Sequence, residues 1–248
     1  MSRFHVRPEA VSGGHVAFDA AETRHLTRVL RLGPGAVVEA LDGVGGVLRV
    51  RIERVGPRGA EGTVLAREAR ESESPCRLVL AQGIPKGDKM EGIVRMATEL
   101  GAARIVPLIT ARTVLRLEAG RAGPRLTRWQ RVATEAAKQS GRGIIPEVAA
   151  PVGLLAWLAE GRPPGMLVCL WEGAREPLGP QLPPAPCVGA TLVVGPEGGL
   201  DEVEVAALRR AGALVGGLGP RVLRTETAGP VGLALLQSRY GDLGRGPA

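Results

Sequence analysis

Three cysteines in 248 residues, Cys76, Cys169 and Cys187, are too few and too far apart for a disulfide scaffold or a CxxC zinc or redox site. Histidine is as scarce, with only His5, His15 and His25. Their spacing fits no metal site and HExxH is missing, so no metal is expected. No apolar run approaches the roughly 18 residues that span a bilayer, so no membrane partner is expected. The start, Met1-Ser2-Arg3-Phe4-His5, carries no apolar signal segment, and a reducing cytoplasm is the expected compartment. The lack of a GxSxG elbow weakens a serine hydrolase reading. The stretch Gly83-Ile84-Pro85-Lys86-Gly87-Asp88-Lys89 lacks the GK[ST] ending of a phosphate loop, and no GxGxxG follows a strand. A Rossmann-type dinucleotide site therefore has little support.

What the chain does have is apolar mass and arginine. Hydrophobic residues make up 44% and charged residues 23%, which excludes disorder as the main state. The formal charge is +7, and it is unevenly placed. Residues 76–145 hold 13 basic and 5 acidic side chains, while the flanking segments are close to neutral. A basic excess gathered in one segment points to a polyanion partner; a solvated basic surface is the plainer alternative.

Residues 1–68 read as a small β-rich unit. Strands are expected at 3–6 and 15–18, then a helix opened by Asp19 and Glu22 as a capping box, with Leu26, Val29 and Leu30 on its apolar face. Gly33-Pro34-Gly35 stops it. Segments 36–41 and 47–55 flank Asp42-Gly43 and read as a hairpin, with a further strand at 63–66. The charged stretch 67–75 has no apolar period and marks a boundary, giving domains 1–70 and 76–243. Beyond it strands and helices alternate. Strands are expected at 77–82, 104–109, 166–170, 190–194 and 213–218, and helices at 88–100, 126–140, 152–159, 203–211 and from Thr225. That alternation specifies an α/β domain with a parallel sheet covered on both faces.

Two loops at the carboxyl ends of late strands carry the chemistry. Strand 190–194 runs into Gly195-Pro196-Glu197-Gly198-Gly199-Leu200, after which Asp201 and Glu204 open a helix. Strand 213–218 runs into Gly219-Pro220-Arg221-Val222-Leu223-Arg224-Thr225-Glu226-Thr227-Ala228. Open α/β sheets bind ligands at such strand ends. Glu197 and Glu226 offer carboxylates there and Arg224 a forked cation. Read without the rest of the chain, the same residues also fit two tight strand–helix turns with capping acids.

These loops closely resemble those of the SPOUT methyltransferases, and in particular the RsmE family of 16S rRNA (uracil-N3) methyltransferases. The resemblance extends over most of the chain. It includes Pro85-Lys86-Gly87-Asp88-Lys89-Met90-Glu91, Ala97-Thr98-Glu99-Leu100-Gly101, Trp129-Gln130-Arg131 with Glu135-Ala136-Ala137-Lys138-Gln139-Ser140, and His25-Leu26 with Val29-Leu30-Arg31. The resemblance implies S-adenosylmethionine as methyl donor, 16S rRNA or the small ribosomal subunit as partner, and a homodimer. It implies a C-terminal trefoil knot behind a small N-terminal barrel of PUA type. It further implies a cofactor site built from Leu170, Trp171, Glu172, Gly195, Pro196, Glu197, Gly198, Gly199, Leu218, Gly219, Val222, Leu223, Thr225, Thr227 and Ala228. Two other readings stay open at this point. One is a non-catalytic RNA-binding assembly factor, which has no need of a close-approach glycine loop. The other is a knotted methyltransferase acting on tRNA.

Methylating N3 of uracil requires removal of an imide proton, alignment of the methyl donor, and a site that tolerates loss of positive charge. Arg224 is the candidate to stabilise the uracil anion. Glu197 or Glu226 is the candidate base, with deprotonation by water as the alternative. For RNA, Arg112, Arg116, Arg121, Arg125, Arg128 and Arg131 supply cations every three to five residues. Lys86 and Lys89, and His25, Arg28 and Arg31 near the start, extend the candidate track along the phosphates.

Overall fold

The computed structural model describes residues 2–57, 59–69, 73–113, 122–161 and 165–244. The chain divides into two compact units. One takes residues 1–73 together with 134–145, and the other takes 74–133 and 146–248.

The first unit holds β1 (Arg3–His5), β2 (Val11–Ser12), β3 (His15–Phe18), α1 (Ala20–Arg24), β4 (Val37–Leu41), β5 (Gly46–Gly56) and β6 (Gly59–Ala69). The strands form a six-stranded sheet in the order β1-β4-β5-β6-β3-β2, mostly antiparallel. Alternation sets which side chains go inside. In β3, Val16 and Phe18 are buried while His15 and Ala17 face outward. Phe4, Phe18, Leu26, Val38, Leu48, Val50 and Ile52 share one core, with Phe4 and Phe18 edge to face at 5.7 Å.

The expected capping box at Asp19 is only half present. The Asp19 carboxylate caps the helix, accepting from the N–H groups of Ala21 and Glu22 at 2.8 Å. Glu22 turns inward instead and meets Lys138 Nζ at 2.7 Å, both side chains being nearly buried. The helical face also departs from expectation. After α1 the backbone widens into a π-helical turn, His25–Val29, closed by Leu30 N–H to His25 O at 3.0 Å. The extra residue in that turn rotates the periodicity, so Leu26 is buried and Val29 is 68% exposed. The turn ends at Arg31, which takes a left-handed φ of 54°.

The second unit is the expected α/β domain. Its strands are β7 (Arg77–Gly83), β8 (Ala102–Ile109), β9 (Glu147–Val148), β10 (Val152–Gly153), β11 (Met166–Leu170), β12 (Gly189–Val194) and β13 (Leu214–Gly216). Its helices are α2 (Lys89–Glu99), α4 (Leu154–Ala159), α5 (Leu178–Gln181), α6 (Glu202–Arg210) and α7 (Thr225–Tyr240). Helix α3 (Ala122–Ser140) contributes its residues up to 133 here and the rest to the first unit. The sheet is parallel, in the order β10-β8-β7-β12-β11-β13, with β9 beside β8. Helices α2 and α7 pack on one side, and α4 packs with α6 on the other. Leu78, Leu80, Ala81, Leu167, Val168, Cys169, Leu192 and Val193 are consecutive or near-consecutive buried residues in their strands, as a sheet covered on both faces requires.

Candidate active site

Strands β12, β11 and β13 are hydrogen-bonded neighbours and run the same way, so their carboxyl ends emerge together. The loops leaving them line a cavity of about 470 Å³, within the size range of small-molecule sites. It gathers Leu170, Trp171 and Glu172 from the first loop and Gly195, Pro196, Glu197, Gly198 and Gly199 from the second. The third adds Leu218, Gly219, Val222, Leu223, Arg224, Thr225, Glu226 and Ala228. Thr227 faces solvent and is not part of the lining. The lining also includes Ala174, Val194, Gly217, Arg221 and Lys89. Arg221 was within reach of sequence reasoning, because it lies inside the 219–228 motif. Lys89 enters from the first turn of α2, after β7, and the sequence offered it only for the RNA track.

The glycine loop is fixed from several sides. Gly199 has φ 73°, a left-handed angle that favours glycine, while a Cβ there would meet only the movable end of the exposed Glu172 side chain. The carbonyl of Gly195 accepts from Thr225 Oγ1 at 2.7 Å, and Thr225 Oγ1 in turn accepts from Gln82 Nε2 at 2.9 Å. Both side chains are buried, so the Thr225 hydroxyl acts on the loop itself. The carbonyl of Gly198 accepts from Arg112 Nη1 at 2.6 Å. Helix α6 anchors the far end of the loop. Asp201 and Glu204 form a complete capping box, and Glu204 Oε1 also accepts from Ala111 N–H at 2.8 Å.

Lys89 joins the two candidate bases. Its ammonium lies 2.9 Å from Glu197 and 3.4 Å from Glu226. The hydrogen bond to Glu197, with Glu226 behind it, holds the ammonium above the usual lysine range. Burial pushes the Glu197 carboxyl up, but hydrogen bonds from Lys89 and from backbone N–H groups, Lys86 among them, outweigh it. The net position is below the usual carboxylate range. Both oxygens of Glu197 are engaged by Lys86 N–H, at 3.1 and 3.2 Å. Beyond the longer ion pair with Lys89, the buried Oε2 of Glu226 has no hydrogen-bond partner among the described residues. Arg224 is the exposed N-cap of α7 and carries no ion pair to a described residue. The backbone groups of Leu218, Gly219, Val222 and Leu223 likewise make no hydrogen bond to a described residue.

The RNA candidates are scattered by comparison. Arg116 and Arg121 lie outside the described residues. Arg128 is paired with Glu91 at 2.7 Å, and Arg112 and Lys89 are held at the cavity. Lys86 and Arg131 are exposed and Arg125 half-exposed, with no ion pair to a described residue. In the first unit Arg28 and Arg31 are exposed, whereas His25 packs on the Phe4 ring at 5.5 Å.

Two protein families match the chain: an RNA methyltransferase domain over residues 72–237 and an RNA methyltransferase PUA domain over 18–65. The ribosomal RNA small subunit methyltransferase E of Synechocystis is 37% identical over 244 residues, covering 95% of this chain and 77% of the relative. The protein of the same name from Bacillus subtilis is 32% identical, covering 84% and 83%. Among solved structures, the ribosomal RNA small subunit methyltransferase E of Neisseria gonorrhoeae bound to S-adenosyl methionine superposes with a TM-score of 0.86. It is 33% identical, with 98% of this chain and 99% of that one covered.

Proposed function

Because this chain belongs to the RNA methyltransferase family with an N-terminal PUA domain, we propose that it methylates N3 of a uridine in 16S ribosomal RNA, with S-adenosylmethionine as donor. The observation that carries the reading is the three-loop cavity. Its glycine loop admits a ligand close to the backbone, and its third loop presents backbone groups with no other partner among the described residues. Leu170, Leu218, Val222 and Leu223 offer apolar surface to the adenosine part, and the loop 218–223 offers hydrogen bonds to its ring nitrogens. The bound donor supplies an electrophilic methyl group on a sulfonium.

The chain's own residues do the rest. Uracil N3 becomes a nucleophile only after its imide proton leaves. Glu226 is the better placed acceptor, since the lone pairs of Glu197 are already taken by Lys86 and Lys89. Glu197 positions Lys89 and, through it, Glu226. Arg224, with no ion pair to a described residue, stabilises the negative charge that spreads onto O2 and O4 of the deprotonated base.

Domain 1–70 holds RNA, domain 76–243 carries out the transfer, and the exposed cations track phosphates. The second unit closes as a trefoil knot. Supporting this, β13 lies at one edge of the sheet while α7, which follows it, packs back on the central β12 and β7. The protein works as a homodimer through α7. Leu233 and Leu236 of that helix are buried, but Val231 stays exposed and Ala234 and Leu235 half-exposed. It acts in the cytoplasm; among the described residues no helix is long and apolar enough to cross a membrane, and all three cysteines are free.

The test is to express the chain in a bacterium whose own uracil-N3 methyltransferase gene is deleted. Mass spectrometry of nucleosides from its 16S rRNA should show one 3-methyluridine restored. Restoration lost on Arg224→Ala supports the assignment. An intact protein that binds the donor yet leaves 16S rRNA unmethylated would sink it.

A further inference from the structure

We propose that Gln82 is a positioning residue, a buried amide that holds the glycine loop and the start of α7 in register and so places the donor against Arg224 and Glu226. The inference rests on the donor site proposed above. Gln82 stands at the carboxyl end of β7, opposite Val194 of β12, and is fully buried. Strand alternation puts it on the same face as Leu78 and Leu80, which are fully buried too. An apolar side chain would continue that face, so a glutamine there needs a reason other than core packing.

Its hydrogen bonds supply one. Nε2 donates to Thr225 Oγ1 at 2.9 Å and to Gly83 O at 3.1 Å, with Gly195 O at 3.4 Å. Thr225 Oγ1 gives its own proton to Gly195 O at 2.7 Å. These oxygens belong to the starts of three segments. Gly83 leads toward Lys86 and Lys89, Gly195 begins the glycine loop, and Thr225 stands between Arg224 and Glu226. A Cβ on Gly83 would lie 2.6 Å from Pro196 N, so the first two segments already touch through their backbones. The amide and Thr225 tie α7 to both. The other half of the amide adds nothing to stability. Oε1 is buried with no hydrogen-bond partner among the described residues, and it faces Gly229 of α7, where a Cβ would stand 2.9 Å away. A buried acceptor left unmade lowers stability, so the glutamine is there for what its N–H groups hold.

Gln82→Met removes the amide, keeps an unbranched chain of similar length, and leaves Thr225 free to donate to Gly195 O. Tm should stay within about 2 °C of the wild type, because the unmade acceptor goes together with the donors. Calorimetry should show S-adenosylmethionine binding about two- to tenfold weaker, the loss of one net hydrogen bond. On small subunits from the deletion strain, kcat should fall about tenfold or more at unchanged KM for the subunit, because Arg224 and Glu226 are displaced. Gln82→Glu supplies the rescue. Its carboxyl would be buried among carbonyl oxygens, which disfavours the charged form, so it stays protonated and donating well above the ordinary carboxylate range. Donor affinity relative to wild type should be near normal at about pH 6 and fall toward about pH 8.5 as the group ionises. A Gln82→Met protein that binds donor and turns over like wild type would overturn the proposal. So would a Tm that falls in step with affinity while Gln82→Glu shows no dependence on pH, since the amide would then be merely structural. Subunits left unmethylated by the wild type would refute the uracil reading, and the donor-binding results would still decide the role of Gln82.

Discussion

Replacing Arg112 with alanine distinguishes two roles for one cation. As part of a basic track, Arg112 meets phosphate. Its observed partner is the carbonyl of Gly198 at 2.6 Å, on the loop that lines the cavity. A charge-assisted hydrogen bond contributes about 1.5–3 kcal/mol when shielded, and an exposed one less, so about 0.5–1.5 kcal/mol is reasonable here. If that energy holds the loop in its binding position, its loss weakens donor binding about two- to twelvefold. Calorimetry with S-adenosylmethionine measures this directly. RNA binding across a salt series supplies the other half. Removing a cation that neutralises one phosphate lowers the slope of log affinity against log salt by roughly 0.7 to 0.9. Arg112→Ala should leave that slope unchanged, while the Arg125→Ala, Arg131→Ala double variant should lower it. A lowered slope with unchanged donor affinity for Arg112→Ala would refute the clamp and return Arg112 to the RNA track. Arg128 is a poor probe of RNA binding, because its removal also frees Glu91.

Thr225→Val keeps the shape of the side chain but removes the bond to Gly195 O and the acceptor for Gln82, at a cost of about 1–3 kcal/mol. Donor affinity and Tm should fall together and return in Thr225→Ser; unchanged values for the valine variant would mean that the hydroxyl holds nothing. Donor binding should be flat from neutral pH down to the ordinary carboxylate range. It should weaken below that range, because Glu197 has a depressed pKa and its pairing with Lys89 is lost only as pH falls through it. Calorimetry across pH checks this, and Glu197→Gln should abolish the dependence. Lys138→Met leaves Glu22 buried without its cation and should cost about 3 kcal/mol in urea denaturation near neutral pH. Burial pushes the Glu22 carboxyl up, so it protonates early and the deficit should shrink as pH falls. A deficit that stays constant with pH would show that the lost stability was packing alone.

Local chemistry settled much of this protein. Alternation of apolar residues placed β3 and β5, continuous apolar runs placed β7, β11 and β12, and Asp201 with Glu204 gave a complete capping box. The glycine loop 195–199 and the 219–228 stretch were visible because each is a strand end followed by residues that permit or cap a turn. Such signals act over a few residues, through backbone angles and the first turn of a helix. Side-chain partnerships do not. Arg112 reaches Gly198 across 86 residues, Lys89 reaches Glu197 across 108, and Lys138 reaches Glu22 across 116. The basic residues read alike in sequence because charge is additive along a chain. Only the folded structure separates those bound to carbonyls and carboxylates from those left to meet solvent. Val29 shows the same limit at short range. A helical period predicts it buried, but one extra residue in a π turn moves it to the surface.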